Sequence, residues 1–268
     1  MCFRLLSIVT LGILLSCSKS KDDFSDIGLL GHVASGLYNP NQFFPENSAE
    51  AIEYVLSFQE VSGVELDIQF SKDGELWLFH DELLDTKTNA VGRICDKSAT
   101  EMQSTHYNTI NKENVALLSA VDFSKANGHK TVFLDIKLGG CSFDFDVFQQ
   151  LKSHFDQLQA AFIDQIEFIF IANYDDLTAL FLAEGYTIFR DVTSYQGAIE
   201  MLDNYDVEGF YIRHHQLESE EIEQLQAQGK KVALFEIRSP LTIRKALKKQ
   251  PDYILVEDVK SAIIEKYN

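Results

Sequence analysis

Cysteine, proline and basic residues are scarce in this 268-residue chain, and each shortage excludes a class of protein. Four cysteines are too few for a disulfide-stapled scaffold, and four prolines leave no obvious linker between domains. Because 23 Lys and Arg face 41 Asp and Glu, the formal charge of −18 opposes binding to nucleic acid, or to anionic lipid by charge alone. The chain has no G-x-G-x-x-G after a strand and no P-loop. With 46% hydrophobic and 24% charged residues, its composition is that of a globular protein.

The N-terminus has the pattern of a secretion signal. Arg4 precedes an apolar run from Leu5 to Leu15, which is too short to span a bilayer as a helix. The segment Leu14-Leu15-Ser16-Cys17 resembles a bacterial lipobox, which implies cleavage before Cys17 and attachment of a lipid to that thiol. We therefore expect an exported protein, anchored by lipid to a bacterial membrane on its periplasmic or cell-surface side.

This interpretation divides the chain into a lipoprotein signal peptide over 1–16, a polar tether over 17–26 and one folded domain over 27–268. Cys95 and Cys141 are then the cysteines left in the folded domain. An export compartment permits a disulfide between them, and two free buried thiols are the alternative.

Short apolar runs alternate with amphipathic stretches from residue 27 onward. The strand candidates are 27–32, 63–70, 75–80, 131–138, 166–172, 186–191, 208–213, 230–237 and 252–257. The helix candidates are 48–59, 119–127, 144–158, 174–184, 195–203, 218–228, 240–249 and 259–266. Alternation of strand and helix is typical of βαβ units and a parallel sheet.

The second and third strand candidates are too close together to run parallel. Residues 71–74 alone separate them, whereas a parallel crossover needs about a dozen residues. They must form an antiparallel hairpin with Asp73-Gly74 in its turn. Eight parallel strands remain, which predicts an α/β fold, a TIM (β/α)8 barrel with the hairpin and an inserted loop or small subdomain over 83–118 after strand two. A doubly wound open sheet is the alternative.

Carboxylates lie toward the carboxyl ends of two predicted strands, where the active sites of barrels form. Glu65 and Asp67 are two positions apart and therefore face the same side of their strand, and Asp135 and Lys137 repeat that spacing. Three carboxylates suit a hard divalent cation such as Mg²⁺ or Ca²⁺, and no Cys/His cluster indicates zinc. Lys137 is a candidate for binding a phosphoryl oxygen of the substrate.

Two histidines join this group. His32 ends the first strand, and a hairpin centred on residues 72–73 pairs position 80 with position 65, which places His80 beside Glu65. A pair of histidines beside a cation is suited to general acid–base transfer of protons. Together these residues predict metal-assisted cleavage of a phosphate ester.

The motifs that carry these residues resemble the glycerophosphodiester phosphodiesterase family. The resemblance covers nearly all of 27–265 and is most specific over 45–82. The matching motifs are Gly31-His32, Pro45-Glu46-Asn47-Ser48, Val64-Glu65-Leu66-Asp67, Ser71-Lys72-Asp73-Gly74, Phe79-His80-Asp81-Glu82, Gly92-Arg93, Asp135-Ile136-Lys137 and Tyr253-Ile254-Leu255-Val256-Glu257-Asp258.

The resemblance implies a TIM barrel that uses a divalent cation to hydrolyse small glycerophosphodiesters to glycerol 3-phosphate and an alcohol. Carried over by position, it implies that His32 and His80 are the acid–base pair and that Glu65, Asp67 and Asp135 are the metal ligands. In one mechanism of the family, a neighbouring hydroxyl of the substrate attacks the phosphorus and water then opens the cyclic phosphate.

Two positions depart from the family pattern. Val33 stands where the family usually has an arginine that contacts phosphate, and Asp135 is one methylene shorter than the usual Glu. The first change removes a bidentate clamp, for which Arg190 and Arg213 at the ends of later strands are candidate replacements. Asn47 with Glu50 is interpreted locally as the N-cap and N3 residues of the next helix.

Two other functions remain open at this point. A noncatalytic lipoprotein could bind a phosphorylated ligand in the barrel mouth, which the loss of arginine at Val33 favours. A phospholipase-type phosphodiesterase could use its anchor to act on lipid in its own membrane.

Overall fold

The structure is a computed structural model that describes residues 23–40 and 42–267. The expected signal peptide, the start of the tether and the lipidation candidate Cys17 lie outside the described residues. None of the helices within the described part of the chain is long and apolar enough to cross a membrane.

Ten strands and eight α-helices make up the described chain. The strands are β1 Gly28–Gly31, β2 Gly63–Phe70, β3 Leu76–Leu78, β4 Ala116–Leu117, β5 Lys130–Ile136, β6 Ile166–Ala172, β7 Ile188–Asp191, β8 Gly209–Arg213, β9 Lys231–Ile237 and β10 Tyr253–Val256. The helices are α1 Ala49–Leu56, α2 Ala99–Met102, α3 Phe145–Phe162, α4 Asp175–Ala183, α5 Tyr195–Leu202, α6 Ser219–Ala227, α7 Pro240–Lys248 and α8 Val259–Tyr267.

Eight of the strands form a closed parallel barrel, as predicted. The order is β1-β10-β9-β8-β7-β6-β5-β2, and pairing of β1 with β2 closes the ring. Closure excludes the open doubly wound sheet. The carboxyl ends of all eight strands therefore meet at one mouth.

Alternation along β2 explains how polar residues reach the inside of the barrel. Val64, Leu66 and Ile68 pack in the main apolar core, so Glu65 and Asp67 take the other face. On β5, Val132 and Leu134 share that outer core, whereas Phe133 packs inside the barrel with residues of other strands. The inward positions above Phe133 are filled by charged side chains, which form the floor of the mouth.

The hairpin of β2 and β3 is antiparallel, but its register differs by one residue from the prediction. Ile68 pairs with Leu78 and Phe70 with Leu76, so the hairpin is centred on Asp73, not between residues 72 and 73. In this register position 80 lies opposite Leu66. The pairing is therefore shifted by one residue from the predicted one. As a result, His80 does not lie directly across from Glu65.

The stretch after the hairpin is a small subdomain, here called the insert (residues 79–118). It has its own apolar cluster, which includes Trp77 of β3 together with Phe79, Leu84, Met102 and Tyr107. The insert also contains β4, which pairs with β3 and which the sequence analysis did not predict.

A disulfide joins Cys95 of the insert to Cys141 in the loop after β5, the first of the two alternatives left open by the sequence. In the same place, Arg93 donates a hydrogen bond to the carbonyl oxygen of Gly140 at 2.9 Å. The insert is thus tied covalently and by hydrogen bonding to the loop that follows Lys137.

One predicted helix is wrong. Residues 119–127 form no α-helix but two short 3-10 turns, Leu118–Ala120 and Phe123–Lys125. The side chain of Asp122 accepts a hydrogen bond from the backbone N–H of Ser124, which starts the second turn but does not extend it. This crossover consequently packs a short irregular segment on the barrel, with Phe123 fully buried.

Candidate active site

Three carboxylates from β2 and β5 meet at the mouth of the barrel. Glu65, Asp67 and Asp135 each offer an oxygen, and these oxygens lie within 4.8 Å of one another. Register explains the meeting, because Asp67 pairs with Asp135 across the two parallel strands. All three side chains are buried, so their charges are poorly screened by water.

Lys137 provides the positive charge closest to this group. Its Nζ lies 2.6 Å from an oxygen of Asp135 and 3.3 Å from an oxygen of Asp67. Although burial opposes its protonation, the charges of Asp135 and Asp67 raise the pKa of Lys137. The ammonium group is therefore held in its charged form beside two of the three carboxylates.

The electrostatics of the carboxylate cluster are unbalanced. Burial, and then the charge of Asp67, raise the pKa of Glu65 to about 8. Burial also raises the pKa of Asp135, against the opposing effect of Lys137. For Asp67, burial is outweighed by Lys137, His80 and a hydrogen bond from Asn47, and its pKa is lowered. One lysine does not neutralise three buried carboxylates.

This donor set fits a hard divalent cation. All three groups offer oxygen, which Mg²⁺ and Ca²⁺ prefer as a ligand. A bound cation would add to the charge of Lys137 and relieve the repulsion between the three carboxylates. Beside Asp135, Asn173 donates to the carboxylate at 3.2 Å, while its own Oδ1 is buried with no hydrogen-bond partner in the described chain. That oxygen is a further buried acceptor on a side chain that contacts the cluster, suited to a hydrogen bond from a water molecule.

His32 is fixed by a carboxylate that the sequence analysis gave no role. Its Nδ1 lies 2.8 Å from Oε1 of Glu257, which follows β10, and its Nε2 lies 3.8 Å from Glu65. Burial alone would lower the pKa of His32, but the bond to Glu257 and the charge of Glu65 raise it to about 9. The backbone N–H of Tyr38 donates to the other oxygen of Glu257 at 2.9 Å, which holds the carboxylate in place.

His80 is fixed in the same manner from the insert. Its Nδ1 lies 2.7 Å from Asp81, and this hydrogen bond is the main reason that the pKa of Asp81 falls to about 2. Lys87 joins Asp81 at 3.2 Å to Glu46 at 2.7 Å and so links the insert to the loop before α1. Since each histidine engages a carboxylate through Nδ1, the Nε2 atoms make no hydrogen bond with the described residues, and that of His32 lies 3.8 Å from Glu65.

Asn47 does not cap α1, contrary to the sequence interpretation. Ser48 is the N-cap, and its side chain accepts from the backbone N–H of Ala51 at 3.2 Å. Asn47 instead donates to a carboxylate oxygen of Asp67 at 2.9 Å and accepts from the backbone N–H of Asp67 at 3.0 Å. Its left-handed φ of 57° points to a position shaped by the site, since Asn tolerates this conformation better than most residues.

Val33, at the position of the expected arginine, serves the site through its backbone. Its side chain is fully buried, and its N–H donates to Oε2 of Glu65 at 2.9 Å. Both Val33 (φ 45°) and Ala34 (φ 64°) have left-handed backbones, which strain a β-branched residue in particular. Val33 thus orients a metal-ligand candidate but offers no charge to an anion.

The mouth is a cavity of about 620 Å³, open solvent included. The side chains around it lie on, or directly after, seven of the eight barrel strands, all but β6, and on the hairpin and the loop after β1. They are His32, Leu37, Tyr38, Asp67, His80, Asp135, Lys137, Asp191, Tyr211, Arg213, Phe235, Glu236, Arg238 and Glu257.

Of the two candidate arginines, one reaches the mouth and the other does not. Arg190 follows Phe189, which points into the barrel, and therefore points outward; it donates to Ala172 and pairs with Asp175 at 2.7 Å. Arg213 is two residues after the inward Tyr211 and lines the mouth. Because side chains alternate along a strand, a shift of one residue would move Arg190 to the inner face and Arg213 to the outer face.

The sequence analysis placed all six proposed catalytic, metal and substrate residues at one mouth, and the structure brings them together there. It missed Glu257, Asn173 and Asp191. Counting by two from inward core residues would have found the last two, because Asn173 follows Ile171 and Asp191 follows Phe189. Asn47 carried no such signal, since its contact with Asp67 depends on a loop conformation.

Comparisons with known proteins agree with this architecture. A solved structure from Agrobacterium tumefaciens superposes with a TM-score of 0.76 at 16% identity and covers 90% of this chain and 97% of its own. A phosphodiesterase from Oleispira antarctica, solved in complex with the product sn-glycerol-3-phosphate, gives a TM-score of 0.73 at 17% identity, with 89% and 96% covered. At such identities these likenesses concern the fold.

Sequence comparison points to one family. Glycerophosphodiester phosphodiesterase 1 from Homo sapiens is 31% identical over 100 residues, which is 35% of this chain and 30% of that protein. The match thus spans about a third of the human relative's length. The sequence pattern of the Glycerophosphoryl diester phosphodiesterase family matches residues 40–261, most of the chain. The chain therefore belongs to the glycerophosphoryl diester phosphodiesterase family.

Proposed function

We propose that this protein hydrolyses glycerophosphodiesters to glycerol 3-phosphate and an alcohol, with a divalent cation at Glu65, Asp67 and Asp135. The observation that carries the proposal is the meeting of these three buried carboxylates with two carboxylate-held histidines at one mouth. Family membership supports the same reaction. The overall change is the addition of water across one P–O bond, with no oxidant or reductant.

The two histidines supply the proton transfers. Whether water or a hydroxyl of the substrate attacks phosphorus, the attacking oxygen loses a proton and the leaving oxygen gains one. The Nε2 atoms of His32 and His80 are the groups that take and give these protons. Glu257 and Asp81 each hold one ring through Nδ1, which fixes the tautomer and the orientation of the imidazole.

The carboxylates and Lys137 set the charge at the reacting phosphate. A divalent cation bound by the carboxylates would polarise a phosphoryl oxygen and balance the negative charge that develops on it. Asn47, Asn173 and the N–H of Val33 hold the three carboxylates in position. Lys137 adds a fixed charge beside Asp67 and Asp135 and can bind a phosphoryl oxygen.

A coupled assay tests the reaction. Protein stripped with EDTA is given glycerophosphocholine, and glycerol 3-phosphate is measured before and after addition of Mg²⁺ or Ca²⁺. We expect product with added cation only. Full turnover in EDTA would contradict the role of the carboxylates, and undiminished turnover of the His32→Ala/His80→Ala double variant would contradict the role of the histidines. His129→Ala, at an exposed histidine outside the mouth, is the matched control.

The buried side chain of Val33 favours a second candidate, a noncatalytic protein that binds a phosphorylated ligand. Calorimetry with glycerophosphocholine and each cation distinguishes the two. Binding without product under every cation would support the noncatalytic function, whereas product formation excludes it. A third candidate, cleavage of phospholipid, is distinguished by release of diacylglycerol or phosphatidate from phospholipid vesicles.

We further propose that the protein is exported and anchored by a lipid on Cys17. The support is the lipobox-like sequence before Cys17 and the disulfide between Cys95 and Cys141, which suits an oxidising compartment. Labelling of bacteria with a fatty-acid probe tests it. We expect label and membrane association in the wild type and loss of both in Cys17→Ser, and an unlabelled wild type would contradict the anchor.

A further inference from the structure

Two arginines lie on the side of the mouth opposite the metal-ligand candidates. Arg213 ends β8 and Arg238 follows β9, and both line the cavity. Around the barrel, β8 and β9 are separated from β2 and β5 by other strands on either side. A substrate whose phosphate lies at the carboxylates would therefore direct another part of itself toward these arginines.

A single carboxylate holds both guanidinium groups. Glu236 pairs with Nε of Arg213 at 3.2 Å and with Nη2 of Arg238 at 2.7 Å. Among the described residues, neither guanidinium pairs with a second carboxylate. These three residues, here called the arginine pair site, carry two positive charges and one negative charge, and Asp191 of the neighbouring β7 also lines the mouth and interacts electrostatically with Arg213.

The backbone of β9 is shaped to present Glu236. The register between β9 and β10 shifts here, because Ile254 pairs with Leu234 but Val256 pairs with Ile237. Two residues of β9 thus lie opposite one of β10, as in a β-bulge, and Glu236 has a left-handed φ of 64°. Such a conformation is costly for a non-glycine residue, and bulges beside active sites commonly redirect a side chain.

The arginines also cover the aromatic surfaces of the mouth. Arg238 lies 4.1 Å from the ring centre of Tyr38, and Arg213 lies 5.2 Å from that of Phe235, which stacks on Tyr211. An aromatic face is what a quaternary ammonium such as choline would need. In this protein those faces already have cations of the protein on them, so this side of the mouth disfavours a cationic group.

We propose that the arginine pair site binds an anionic substituent on the alcohol part of the substrate, an inference that rests on the proposed function. A carboxylate or a second phosphate is the matching chemistry, because a guanidinium fork binds either in a bidentate manner. Glu236 orients the two forks when no such substituent is bound. The protein would then favour diesters with an acidic alcohol over those of choline.

Substrate competition tests this proposal. The kcat/KM is measured for the glycerophosphodiester of glyceric acid, which adds a carboxylate without an ammonium group, for glycerophosphoglycerol carrying a terminal phosphate, for neutral glycerophosphoglycerol and for glycerophosphocholine. In the wild type we expect an acidic diester to exceed the choline diester by about tenfold or more, the size of one charged hydrogen bond. The first two substrates distinguish a carboxylate from a phosphate as the preferred group.

Variants separate this role from binding of the scissile phosphate. Arg213→Gln and Arg238→Gln are expected to lower the ratio of acidic to neutral diester by about tenfold each. Arg213→Lys, which keeps the charge and loses the fork, should retain part of the ratio. Arg244→Gln is the control, because Arg244 pairs with Glu265 outside the mouth. An equal loss for all four substrates would overturn the proposal and assign the arginines to the scissile phosphate.

Binding keeps the proposal testable if the proposed function fails. Should no diester be hydrolysed under any cation, calorimetry with the glyceric acid diester and glycerophosphocholine still measures the preference. Tighter binding of the acidic diester that is lost in Arg213→Gln and Arg238→Gln supports the arginine pair site. Equal binding of both, or no effect of either variant, overturns it.

Discussion

Each of the two histidines at the mouth is held by a hydrogen bond between Nδ1 and a carboxylate, but one pair belongs to the barrel and the other to the insert. His32 ends a barrel strand, is 12% exposed, and engages Glu257, which is 4% exposed. His80 stands at the base of the insert, is 32% exposed, and engages Asp81, which is 28% exposed. The barrel support is built into the main core, whereas the insert has a small core of its own. We therefore expect His32 and Glu257 to contribute both to the stability of the fold and to catalysis, and His80 and Asp81 to contribute mainly to catalysis.

The largest effect is expected for the carboxylates on the barrel side. Glu65→Gln or Asp135→Asn should lower kcat/KM by about 10³-fold, because each removes a charge that binds the cation at the reacting phosphate. Calorimetry should find weaker binding of Mg²⁺ and Ca²⁺. Asp122→Asn, at an exposed carboxylate outside the mouth, is the control. Unchanged cation affinity in Glu65→Gln would remove it from the ligand set.

Loss of either histidine comes next. His32→Asn and His80→Asn should each lower kcat/KM by about 10²-fold, at the lower end of the range for removal of a proton-transfer group. Thermal unfolding should distinguish them, because the bond of His32 to Glu257 is buried and that of His80 to Asp81 is partly exposed. A larger loss of stability in His80→Asn than in His32→Asn would contradict the difference between the two supports.

The carboxylates that hold the two histidines should differ in how much they stabilise the fold. Glu257→Gln should cost about 1–3 kcal/mol of unfolding free energy, since it weakens a buried charged hydrogen bond. Asp81→Asn should cost less than about 1 kcal/mol, since its pair is partly solvated. Denaturant titration of both variants measures the two values, and equal costs would contradict the proposed difference.

The stabilisation due to Asp81 has a defined pH window. Its bond to His80 lowers its pKa to about 2, below the ordinary 3.8. The stabilisation is therefore complete above the ordinary value and is lost as the pH falls from 3.8 toward 2. The difference in Tm between the wild type and Asp81→Asn should narrow over that range, and a difference that widened would have the wrong sign.

The smallest effect on activity is expected for the disulfide of the insert. The Cys95→Ser/Cys141→Ser double variant opens a link between residues 46 positions apart, which is worth about 2–4 kcal/mol in loop-closure models. Exchange of amide hydrogens should quicken in the insert and not in β6 to β8. We expect kcat/KM to fall by only a few-fold, because Lys87 still links Asp81 to Glu46. Uniform quickening over the barrel would contradict an independent insert.

Features that follow from strand alternation could be predicted from the sequence, and features that depend on loop conformation could not. Glu65, Asp67 and Asp135 face inward because side chains alternate, so their meeting required only the order of the strands. Asn47 is a loop residue with a left-handed backbone, and no periodicity in the sequence indicates that conformation. The hairpin register was wrong by one residue, because the turn length was inferred from a four-residue gap without its conformation.

The central claim is that Glu65, Asp67 and Asp135 share one divalent cation. Anomalous diffraction from crystals soaked in Mn²⁺ tests it most directly, since Mn²⁺ takes the same oxygen ligands and scatters anomalously. We expect one strong peak at the mouth, with an oxygen of each of the three carboxylates around it. A peak elsewhere, or no peak in crystals that are active in the same solution, would contradict it.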